Sequence, residues 1–97
     1  MKSIQQIRDK LERHRAELVD RFYITEIGVF GSVARNEQTE FSDLDILVEF
    51  SKTPSFLKYM DLEIYLSNLL EIKVDLVMKT ALKQSISTNV LSEVIYL

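Results

Sequence analysis

The chain is 97 residues long, 46% hydrophobic and 28% charged, the mixture of one soluble domain with a single modest core. With no cysteine and one histidine, disulfides, thiolate zinc sites and imidazole metal cages are excluded, so any metal must be held by oxygen. The start, Met1-Lys2-Ser3-Ile4-Gln5, is polar and no apolar run approaches the roughly 20 residues that cross a bilayer; no membrane partner and a cytoplasmic location are expected.

Formal charge is −3 and unevenly spread: residues 1–35 carry seven basic and five acidic side chains, 36–75 three and nine, and 76–97 two and one. An acidic middle third argues against general nucleic-acid binding, which needs a cationic face, and favours cation binding where those acids meet.

Ile4, Ile7, Leu11, His14 and Leu18 recur at helical spacing and predict one helix from Ser3, its N-cap, to about Asp20. His14 lies on the apolar stripe, and a hydrogen-bonded ring against the core explains it without a catalytic role. Ile24 to Phe30 is β-rich and ends at Gly31-Ser32, after which Val33-Ala34-Arg35 opens a short helix. Asn36 to Ser42 reads as a loop. Leu44 to Phe50 is a second strand, apolar enough to be covered on both faces, and Pro54 marks the turn after it.

Ser55 to Leu70 is a helix with apolar residues in nearly every direction, from Phe56 and Leu57 through Met60 and Ile64 to Leu69 and Leu70, so burial on more than one side is expected. A core this small covers only one face of it. The rest is then an interaction surface, unless the first and last helices or a second copy cover it. Lys73 to Met78 is a third strand, Leu82, Ile86 and Val90 mark a last amphipathic helix, and Val94-Ile95-Tyr96-Leu97 is β-prone. Together these predict an α+β fold of two layers, a small mixed sheet with helices, and a single domain over 1–97.

Asp43 and Asp45 stand two residues apart at a strand start, where the pleat points both carboxylates to one side. Such a pair suits a divalent metal, although from these residues alone a solvated turn is the readier explanation. Asp75, between Val74 and Leu76, is out of place in a buried strand unless it faces something charged. A neighbouring strand would bring it to the pair, and Mg²⁺ takes few oxygen ligands from protein and the rest from water and phosphates. Gly31-Ser32 at a helix start offers backbone N–H groups to an anion, and Arg35 would pair with a phosphate or with Glu37 or Glu40.

Gly31-Ser32, ten residues, then Asp43-Leu44-Asp45, within Gly-Ser-Val-Ala-Arg and Ser-Asp-Leu-Asp-Ile-Leu-Val, resembles the signature of the DNA polymerase beta-like nucleotidyltransferase superfamily. The resemblance runs from the first helix to Val94-Ile-Tyr and is greatest to the minimal nucleotidyltransferases, little more than a catalytic domain. It implies that Gly31 and Ser32 bind the nucleoside triphosphate, that Asp43 and Asp45 bridge two Mg²⁺ ions, and that Asp75 binds one of them near the acceptor. Members commonly have glycine after Ala-Arg; here Asn36 stands there, and asparagine tolerates left-handed backbone. The resemblance further implies in-line transfer of a nucleoside monophosphate, AMP from ATP, to a hydroxyl. In the minimal family the acceptor is a tyrosine of a small helical HEPN toxin, and the transferase is its antitoxin. A binding module that silences its partner by contact alone is the alternative. Transfer to a small molecule, as in aminoglycoside nucleotidyltransferases, is disfavoured by the short chain.

Overall fold

The computed structural model describes residues 3–34, 43–81 and 93–97. The order is α1 (Ile4–Arg13), α2 (Arg15–Phe22), β1 (Ile24–Phe30), α3 (Gly31–Ala34), β2 (Leu44–Phe50), α4 (Phe56–Leu70), β3 (Val74–Met78) and β4 (Ile95–Tyr96). The predicted loop over Asn36 to Ser42 and the helix marked by Leu82, Ile86 and Val90 lie outside the described residues.

One predicted helix is two. Ser3 caps α1 in a reciprocal box: its Oγ accepts from Gln6 N at 3.2 Å, and Gln6 Oε1 accepts from Ser3 N at 2.8 Å. The helix breaks at His14 (φ −110°, ψ 15°), whose N–H donates to Leu11 O at 3.1 Å rather than to Lys10 O. The ring replaces the backbone donor there, with Nδ1 2.9 Å from Lys10 O. The break re-aims the chain so that Ile7 and Leu11 from α1, and Leu18 and Phe22 from α2, reach the core together.

The sheet order is β3-β2-β1-β4. β1 pairs antiparallel with β2 and β4, while β2 pairs parallel with β3, the crossover between them being α4. Helices α1, α2 and α4 cover one face, where Ile27, Val29, Leu44, Ile46, Val48, Val74 and Leu76 meet Leu62, Leu66 and Leu70 of α4. Each such buried side chain contributes about 1.5–3 kcal/mol against leaving it in water. An irregularity in register between Ile24 and Glu26 puts Ile24 on the same side as Ile27. On the other face Leu47 is also fully buried, as expected of a strand covered on both sides. Gly28 lies beside it because a Cβ there would stand 2.6 Å from Val94 Cγ1 and 3.3 Å from Tyr96 Cδ1, so only glycine lets the β4 segment lie so close.

The expectation that α4 is buried on more than one side is corrected: one face is covered, as a core of this size allows. Ser55 caps the helix, accepting from Lys58 N at 3.2 Å, and Leu62, Leu66 and Leu70 form its buried stripe. Phe56 and Leu57 (74% exposed each), Ile64 (56%) and Met60 (42%) remain in water, because the sheet offers α4 one face only.

Candidate active site

Strand register assembles the site. Phe30 pairs with Asp45 across the β1–β2 ladder, and Asp45 pairs with Asp75 across the parallel β2–β3 ladder. Three neighbouring strands therefore carry Phe30, Asp45 and Asp75 in one row, on the face opposite the helices. Adjacent strands lie about 4.8 Å apart, so the two carboxylates leave the sheet side by side. Asp75 and Asp43 are exposed and Asp45 is partly so. Leu44 N donates to Lys73 O at 2.9 Å, which fixes the start of β3 beside Asp43. Lys73 Nζ stands 3.9 Å from Asp43 Oδ2, with both side chains well exposed, a long contact of little energetic consequence.

Gly31 closes the row. Its φ is +73°, and a Cβ there would overlap the Asp45 carboxylate, at 3.0 Å from Cγ and 3.4 Å from Cβ. Backbone and carboxylate thus meet where any other residue would intrude. The chain then turns at once into α3, Gly31–Ala34, which places Ser32 in its first turn. Arg35 lies outside the described residues.

Among the described residues no three acid or imidazole side chains stand close enough together to hold a metal ion, so Asp43, Asp45 and Asp75 are not gathered round one point. An open row of carboxylates suits Mg²⁺, which keeps several waters and takes substrate phosphates as ligands. Asp43, Asp45 and Asp75 are oxygen donors of the right kind, and two carboxylates side by side repel unless a cation stands between them.

The sequence reading missed three residues of α4 that reach the edge of β3. Tyr59 donates through its hydroxyl to Leu76 O at 2.6 Å, Glu63 Oε2 accepts from Leu76 N at 3.3 Å, and Ser67 Oγ accepts from Val74 N at 3.0 Å. Burial first, then the charges of Glu63 and Asp75, push the Tyr59 hydroxyl above its ordinary value. Their spacing of four residues was the available signal.

A model of the nucleotidyltransferase domain family matches residues 11–97. The chain belongs to this family. The nucleotidyltransferase is 51% identical over 96 residues to the protein adenylyltransferase MntA of Thermococcus cleftensis, covering 99% of this chain and 97% of the relative. A solved structure provisionally described as a minimal nucleotidyltransferase superposes with a TM-score of 0.80 at 35% identity, covering 99% of this chain and 97% of that one. The mixed α+β fold expected from sequence is thereby shown. A toxin–antitoxin crystal structure with AMP-PNP superposes with a TM-score of 0.68 at 25% identity, covering 91% of this chain and 69% of that one. Among the described residues no helix of the nucleotidyltransferase is long and apolar enough to cross a membrane.

Proposed function

We propose that this nucleotidyltransferase, a single minimal domain, transfers AMP from ATP to a hydroxyl of a partner protein, a tyrosine of a helical HEPN-type toxin, and acts as its antitoxin. The observation that carries the reading is the row at the sheet's open face: Asp45 and Asp75 in register, with Gly31 packed against Asp45 where a side chain would intrude. The name of the Thermococcus relative and the AMP-PNP-bound toxin–antitoxin neighbour support the choice of nucleotide and partner.

In this reading the backbone at Gly31 and Ser32 receives the triphosphate, with Arg35 as an added phosphate contact, and Asp43, Asp45 and Asp75 hold Mg²⁺. Mg²⁺ would neutralise phosphate charge as the bond from the α-phosphorus to the bridging oxygen breaks and the new ester forms. Asp45, shared between the Gly31 side and the Asp75 side, sets the line of attack. Asp75, on the outer strand, faces the acceptor and orients its hydroxyl. Pyrophosphate leaves.

The test incubates the chain with a co-expressed partner, Mg²⁺ and ATP labelled at the α-phosphate. Label should appear on the partner, vanish with EDTA, and vanish with Asp43→Asn or Asp45→Asn while Asp43→Asn keeps its Tm. Transfer at the wild-type rate by either variant would remove these acids from the site. A partner bound and silenced without label, equally by Asp43→Asn, would replace transfer by contact alone.

A further inference from the structure

β3 is the edge of the sheet, and Asp75 stands in its first half. An edge strand has one side of its backbone unpaired, and a strand of five residues (Val74–Met78) has few bonds to hold its register. Here three of the outward groups on either side of Asp75 are taken by one helix. Ser67 takes Val74 N, Glu63 takes Leu76 N and Tyr59 takes Leu76 O. The match is geometric. Four residues along a helix rise about 6 Å and two along a strand about 6.6 Å, so side chains one turn apart meet successive outward amides when α4 and β3 run in opposite directions.

We propose that Tyr59, Glu63 and Ser67 are positioning residues that hold the edge strand in register and so keep Asp75 level with Asp45; this rests on the site reading above. A slip of one residue would turn Asp75 into the core and expose Val74 and Leu76. The Glu63 carboxylate makes a charge-assisted bond to an amide, the stronger kind. Tyr59 completes the hold on the same residue from its carbonyl side. None of the three touches the reacting atoms; they act through the backbone flanking Asp75.

The test compares Glu63→Ala, Tyr59→Phe, their double variant and Glu63→Gln, which keeps an accepting oxygen. Amide exchange at Val74 and Leu76 should quicken in the double variant. Its kcat should fall about tenfold or more, as for removal of outer partners of metal ligands, while KM for ATP stays within about twofold because the Gly31 side is untouched. More Mg²⁺ should be needed for half-maximal rate, and Glu63→Gln should recover most of each effect. A double variant whose two amides exchange faster while kcat and Mg²⁺ dependence stay at wild type overturns the proposal, as does a rise in KM with kcat intact. Unchanged exchange at both amides overturns it too, whether or not the wild-type chain transfers label. Absence of label with the wild-type chain, by contrast, counts against the transferase reading itself.

Discussion

Single residues decide whether the site is open. Gly31 carries two separate penalties against substitution: a φ of +73°, and a Cβ position that overlaps the Asp45 carboxylate. The left-handed backbone alone costs a non-glycine residue about 1–2 kcal/mol, and the overlap adds to it because the Asp45 carboxylate must turn away to admit a Cβ. Gly31→Ala should therefore lower Tm and abolish transfer, whereas the same change in an Asp45→Ala background should cost less, since only the backbone penalty remains against Asp45 Cβ at 3.4 Å. A double-mutant cycle by denaturant unfolding measures this coupling; strictly additive costs would show that the two groups do not meet. The Gly-Ser step and the spacing to Asp43 and Asp45 were legible in the sequence because local chemistry fixes them. That Gly31 packs against Asp45 was not, since it depends on which residue of β2 pairs with Phe30.

Elements were legible wherever a periodic pattern coincided with a cap or a turn, as at Ser3, Gly31 and Ser55, and least so where a side chain competed with the backbone, as at His14. The row linking Asp45 to Asp75 follows from parallel pairing, which no local pattern announces; Asp75 was found only because a carboxylate among Val74 and Leu76 demanded a reason. Helix α4 is latched to the first helices through Tyr65, whose hydroxyl donates to Glu17 Oε2 at 2.9 Å and whose ring lies 5.3 Å from that of Phe22. Burial, then the hydrogen bond to Glu17 and its charge, push the Tyr65 hydroxyl up to about 12, against a smaller opposing effect of Arg21. The unfolded value is near 10, so the latch is at full strength below about pH 10 and is lost as pH rises through about 12. Tyr65→Phe should remove the latest phenolate step in an absorbance titration. It should also flatten the fall of Tm with pH across that window; an unchanged late step would mean that another tyrosine carries it.

On the scale of the whole molecule, the described residues present two distinct surfaces for function: the end of the sheet face that carries the row of acids, and the outer flank of α4. Phe56, Leu57, Met60 and Ile64 occupy that flank, all well exposed, and contiguous apolar surface of this kind marks an interaction site. A toxin seated on it would bring its own tyrosine round the β3 edge to Asp75. Leu57→Glu combined with Ile64→Lys changes no net charge and touches no buried position, so Tm should stay within the small range of surface substitutions, about 0.5 kcal/mol in stability. Partner co-purification and label on the partner should both be lost, while ATP binding, on the far side of β3, is kept. If a second copy covers the flank instead, the wild-type chain alone elutes as a dimer, the double variant elutes as a monomer, and label still reaches the partner. That last pair of results would sink the toxin as occupant of this surface and leave its docking to the open face of the sheet.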